Sequence, residues 1–164
     1  MLRIPADFDP VERGERAERC FNNGFNCCQS VVLAFSDLVA ESYGLDESTI
    51  ASMCSGFGGG FGRLREVCGA VSGMTMMAGF MIPASDPSDK QNRTANYALV
   101  QEFAAAYRAE NGSIVCRELL GLSKSAHEGP APSDRTPEYY RKRPCGQLVN
   151  MAATIVARKL AALA

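Results

Sequence analysis

Seven cysteines and one histidine are the residues best equipped for chemistry in this chain of 164. Four of the cysteines share a local setting. Cys27 follows Asn26, Cys68 follows a glycine-rich stretch and Glu66, Cys116 sits three residues after Ser113, and Cys145 follows Pro144, so each is predicted to open a helix, with Cys116 at its third position. A helix start presents unpaired amide donors and about half a positive charge, which favours thiolate over thiol. Thiolate is the form that ligates metal or attacks a disulfide. Four such starts, if they converge, make a pocket suited to a thiolate cluster whose sulfurs accept hydrogen bonds. Any single cysteine is more often a small buried hydrophobe than a chemical group, and Cys20 and Cys54, on apolar helix faces, are assigned to the core. Cys28 neighbours Cys27, but consecutive helical positions point about 100° apart, which argues against the two sharing one metal ion.

Familiar local cysteine motifs are missing. The chain has no CxxC, so neither a thioredoxin-type pair nor a zinc knuckle is signalled, and no CxxCH for covalently attached haem. Ligands this far apart in sequence depend on the tertiary fold to meet. The run Gly56-Phe57-Gly58-Gly59-Gly60-Phe61-Gly62-Arg63 fits neither the phosphate-binding GxxxxGKS/T pattern nor a well-formed GxGxxG after a strand. Its glycines Gly58, Gly59 and Gly60 are expected to let the backbone pass tightly beside the thiol pocket, with Arg63 or Arg65 reaching a carboxylate such as Glu66 or a bound anion. His127 lies in a long polar loop and reads as solvated, although it is the one candidate for a Cys-His dyad. Met74, Met76 and Met77 read as core.

The elements that must position these groups are helical. Apolar residues make up 46% and charged residues 21%, enough for one domain over residues 1–164 to bury a core. A net charge of −1 supplies no field for drawing in nucleic acid or acidic lipid. The first 19 residues lack the apolar segment of a secretion signal, so a reducing cytoplasm is expected, where cysteines beyond the needs of packing serve metal or redox chemistry. The apolar stretch 70–82 is short of the roughly 20 residues a bilayer span needs.

After a tail over residues 1–10, periodicity predicts a helix over 11–21 and one over 26–43, the second opened by an Asn26–Gln29 capping box and closed at Gly44. Asp46 or Ser48 caps the next. Further helices are predicted over 66–81, 94–110, 114–120 and 144–163, separated by a loop at 83–92 and a long proline-rich loop at 122–143 with a helical turn near 138–141. No segment alternates with period two. The expectation is an all-α bundle of about six helices around one core.

The ordered blocks Gly24-Phe25-Asn26-Cys27-Cys28-Gln29-Ser30-Val31, Ser55 to Arg63, Cys68-Gly69-Ala70-Val71-Ser72-Gly73, Cys116-Arg117-Glu118-Leu119-Leu120-Gly121 and Cys145 together resemble the redox-active protein family named for its C_GCAxxG_C_C cysteine signature. The resemblance implies a small helical protein that is redox-active through cysteines matching Cys27, Cys68, Cys116 and Cys145. A similar module accompanies haem domains in split-Soret cytochromes, where it looks like an iron–sulfur or non-haem iron site. Cys28 departs from the pattern, since alanine is usual there. The leading expectation is therefore a redox or electron-transfer protein binding an iron–sulfur cluster, 2Fe–2S preferred, or another thiolate-held metal, through those four cysteines, with Gly58, Gly59, Gly60 and Arg63 around it and an unidentified redox partner. Two alternatives stand beside it. One is a metal-free thiol enzyme, with Cys27 and Cys68 as the first pairing. The other is a helical assembly module, homodimeric through the small-residue helix face from Cys68 to Gly79.

Overall fold

Local signals decide where most helices begin. The computed structural model describes residues 2–125 and 127–163, and among these it holds nine helices. They are α1 (Pro10–Asn22), α2 (Cys27–Leu33), α3 (Ser36–Tyr43), α4 (Glu47–Cys54), α5 (Gly69–Met81), α6 (Lys90–Asn111), α7 (Cys116–Leu119), α8 (Pro137–Lys142) and α9 (Cys145–Ala161). Asp9 caps α1 ahead of Pro10, and Asp46 caps α4 through the Thr49 amide at 2.7 Å. At α2 the capping box closes both ways: Asn26 Oδ1 accepts from the Gln29 amide at 3.0 Å, and Gln29 Oε1 accepts from the Asn26 amide at 2.9 Å. The fold is all-α, with a single antiparallel bridge, Val67 to Val115, among the described residues. None of these helices is long and apolar enough to cross a membrane.

The helix predicted from 94 starts at Lys90, inside the predicted loop, because Asp89 caps it through the Asn92 amide at 2.9 Å, and three further boundaries differ from the periodicity reading, each for a visible reason. The helix predicted over 26–43 breaks at 34–35, because the buried guanidinium of Arg13 takes the Ala34 carbonyl at 2.8 Å while pairing with Asp37, and that carbonyl leaves the helical ladder. The helix predicted from 66 begins at Gly69, and the one predicted from 114 begins at Cys116. In both cases the preceding residues are extended and paired with each other: the Cys68 amide donates to the Ile114 carbonyl at 2.8 Å, and the Arg117 amide to the Arg65 carbonyl at 3.1 Å. Cys116 is thus the first residue of its helix, not the third. At the N-terminus, Leu2 is buried in the core.

The core joins α1 to α9 and α2 to α5, with α6 lying against α5 and α9. Phe21, Phe35, Ile50, Met74, Met77 and Val149 are fully buried, and each such side chain contributes roughly 1.5–3 kcal/mol of transfer free energy. Gly69 and Gly73 of α5 are used inside the molecule, while Gly79 faces open space. A Cβ on Gly73 would sit 2.7 Å from Val31 Cβ, and one on Gly69 would sit 3.0 Å from Cys27 Cβ. This close approach sets the start of α2 against the start of α5.

Candidate functional site

The helix starts converge. Cys27, Cys116 and Cys145 are the first residues of α2, α7 and α9, and Cys68 immediately precedes α5. All four line one cavity of about 250 Å³, together with Gly58, Gly59, Arg63 and Arg65. Gly60, grouped with its neighbours in the sequence reading, lies behind the wall rather than in it. Its backbone is left-handed (φ 69°), and a Cβ there would meet the Glu66 amide nitrogen at 2.7 Å and Cys116 Cβ at 2.8 Å. His127 is exposed on the loop, and Met74 and Met77 are buried away from the cavity.

Each sulfur in the cavity has its own partner. Cys27 and Cys145 each act most strongly on the other's titration. The Cys68 sulfur faces the Tyr107 hydroxyl at 3.5 Å, and Cys116 Sγ accepts from Arg65 Nη1 at 3.8 Å. Of the other cavity thiols, Cys145 acts most strongly on Cys27, and Cys68, its first partner in the sequence reading, also acts on it. Cys28 points the other way, into the core, where it meets Cys54. Among the described residues no group of three or more His, Cys, Asp or Glu side chains is arranged to hold a metal ion. A tetrahedral single-metal site needs its sulfurs about 2.3 Å from one point, an arrangement the described side chains do not make.

Burial opposes the helix ends. Cys145 alone among the four is lowered, to about 7, by its bond with Cys27 and by the charges of Arg143, Arg135 and Arg65, against the effect of burial. Cys27 is pushed well above the usual thiol range by the same bond and by burial. Burial raises Cys68 to about 11, against the Tyr107 bond, and also raises Cys116, against its bond from Arg65. The expectation that all four helix starts would favour thiolate is corrected accordingly: half a charge at a helix end is outweighed by desolvation and by repulsion between neighbouring thiolates. The pair loses its first proton near neutrality from the Cys145 side and holds the second tightly.

The glycine-rich segment is a strained turn that aims an arginine inward. Besides Gly59, Gly60 and Gly62, three non-glycine residues adopt left-handed backbone, Phe61 (φ 61°), Arg63 (φ 71°) and Arg65 (φ 62°). Such conformations cost roughly 1–2 kcal/mol each. The result places Arg65 at 4% exposure, with Nε on the Glu128 carboxylate, Nη1 on Cys116 and Nη2 without a hydrogen-bond partner among the described residues. Glu128, not Glu66, is the carboxylate these arginines reach. It also meets Arg63, whose Nε donates to the Gly129 carboxyl-side oxygen of the backbone at 2.9 Å, so the long loop is strapped to the turn. Arg135 donates to the Phe21 and Phe25 carbonyls at 3.2 Å each and stacks on Phe21.

Tyr107, Glu128, Arg135 and Arg143 were not singled out in the sequence. Two carried a signal: a tyrosine on an apolar stripe needs a partner for its hydroxyl, and Arg143-Pro144-Cys145 puts a cation two residues before a thiol. No curated protein and no solved structure gives a significant match to the chain. The family described as "Putative redox-active protein (C_GCAxxG_C_C)" matches residues 25–159, which include all four cavity cysteines, and the chain belongs to that family.

Proposed function

We propose that the protein is a thiol-based redox carrier in which Cys145 and Cys27 cycle between dithiol and disulfide. The observation that carries this reading is that these two cysteines, brought from different helices, line one open cavity and act on each other's titration, with arginine charge bearing on Cys145. With Cys145 at about 7, a large share is thiolate at neutral pH, near the optimum for an attacking thiol. The thiolate attacks one sulfur of a small disulfide. That S–S bond breaks, one thiolate leaves, and a mixed disulfide forms on Cys145. Cys27 then attacks Cys145 Sγ, and its proton goes to the second leaving thiolate. Two electrons pass to the acceptor with the one proton that Cys27 held, the first leaving thiolate takes its proton from solvent, to which Cys145 had released one, and the protein is left with a Cys27–Cys145 disulfide. Cys68, held protonated by burial, stays out of the exchange.

Oxidation of the reduced chain by a small disulfide is expected to consume two thiols and yield a crosslinked Cys27–Cys145 peptide. Cys27→Ser should stop at the mixed disulfide, visible as a mass adduct on Cys145. Unchanged thiol counts would overturn the reading.

A second reading has a specific observation in its favour: all four signature sulfurs line the same cavity, and a 2Fe–2S cluster takes two thiolates per iron rather than a triad about one point. Cys27, Cys68, Cys116 and Cys145 would hold it, and Arg65 would donate to its anionic sulfur. When bound, such a cluster supplies one-electron transfer. Anaerobic purification with iron and acid-labile sulfide analysis separates the two readings: equimolar iron and sulfide with visible absorption replaces the dithiol cycle, and a colourless protein with neither removes the cluster.

A further inference from the structure

Building on the dithiol reading, we propose that the cavity's reaction partner is a small molecule bearing a carboxylate or oxyanion, which seats on Arg65 Nη2 beside the thiol pair. Arg65 is 4% exposed, and two of its three nitrogens are already engaged by Glu128 and Cys116. The third has no partner among the described residues. A buried charged donor left unpaired costs roughly 1–3 kcal/mol or more, and a strained turn holds it there, so the Arg65 side of the cavity carries an unmet demand for an acceptor.

The charge around it points to the same ligand. Arg63, Arg65, Arg135 and Arg143 line the cavity and, among the described residues, no acidic side chain does. Glu128 meets Arg65 and Arg63 from the loop and balances one positive charge. Arg143 stacks on Tyr139 at 5.3 Å and makes no ion pair among the described residues. This local excess of cations stands out in a chain whose net charge is −1. At about 250 Å³ with mostly apolar walls, the space suits a small anionic disulfide rather than a polymer.

Alkylation of the reduced full-length chain tests this with two reagents that differ in charge. Iodoacetate and iodoacetamide both form a C–S bond with loss of iodide, but only the first carries a carboxylate. The iodoacetate-to-iodoacetamide rate ratio, read by mass spectrometry on the Cys145 peptide, is expected to exceed that of a free small thiol by roughly tenfold. Arg65→Gln should bring the ratio back to the small-thiol value. Glu128→Gln breaks the same loop tie but frees the guanidinium, and it should raise the ratio. Loss of preference in both variants would mark the effect as structural and overturn the proposal. So would a wild-type ratio equal to that of the small thiol, with Cys145 still labelled by both reagents. Failure of either reagent to label Cys145 would instead overturn the dithiol reading. The wild-type and Glu128→Gln arms stand even where Arg65→Gln fails to fold.

Discussion

Cys27 and Cys28 are consecutive residues of one helix start, and each meets another cysteine, yet the two pairs sit in different worlds. Cys28 and Cys54 are fully buried in the core, and their mutual bond moves Cys28 up and Cys54 down with no cationic side chain contributing. Cys27 and Cys145 show the same opposed shifts, but Cys27 is half-buried, Cys145 lines the cavity, and three arginines act on it. Contact between sulfurs is common to both pairs. What separates a reactive pair from a packed one is access and positive charge.

The largest expected effect breaks the comparison at its reactive member. Cys145→Ser should abolish oxidation by a small disulfide and cut total thiol labelling at neutral pH by about a hundredfold, the contrast between an activated thiolate and buried thiols. Cys28→Ala should leave both rates within about twofold of the parent while lowering stability by about 1–2 kcal/mol in urea, as expected for a small cavity in a packed core. Equal losses of reactivity in the two variants would erase the distinction.

The pH profile sharpens it. Because the Cys145 pKa is lowered, its thiolate is present above about 7 and is lost as pH falls through that value, so its labelling rate should be half-maximal near 7. An ordinary thiol would be half-maximal near 8.5. Arg143→Gln, removing a charge that helps hold Cys145 down, should move the midpoint upward, whereas Cys28 should label only slowly and with no midpoint near 7. A midpoint unchanged by Arg143→Gln would leave the shift to Cys27, Arg135 and Arg65.

Next in size is the wall between turn and thiol. Gly60→Ala places a side chain on left-handed backbone, which costs about 1–2 kcal/mol before the contacts with Glu66 and Cys116 are counted. Gly79→Ala, on α5 with open space around its Cβ, should instead stabilise by about 1 kcal/mol. Thermal melts of the two variants should therefore move in opposite directions, and only Gly60→Ala should disturb labelling in the cavity.

The helix starts were legible because capping is local: Asn26 with Gln29, and Pro144 before Cys145, carry their own instructions. Convergence was not. The segments carrying Cys68 and Cys116 are joined by backbone pairing of 65–68 with 114–117, which shows no alternation in sequence and makes two helices start later than periodicity suggests. Nothing near Arg65 in the chain announces Glu128, because the two are brought together by a turn whose left-handed residues include three that are not glycine. The direction of the thiol shifts was also hidden, since desolvation depends on what covers each sulfur rather than on its neighbours in the chain.

The smallest effect probes the element both pairs share. Asn26 anchors α2 through its capping bond, donates to the Ser55 carbonyl at 3.0 Å, and lies where a side chain on Gly58 would collide with it. Asn26→Ala should cost about 1 kcal/mol, and Asn26→Ser should recover most of it. The helix start that frays holds Cys27 and Cys28 alike, but the consequences differ: Cys145 already lines an open cavity, while Cys28, fully buried, reacts only after the start opens. A loss of about 1 kcal/mol in that local opening should raise the slow labelling of Cys28 about fivefold and leave Cys145 nearly unchanged. Equal acceleration at both sites would mean that the cavity, too, opens before it reacts.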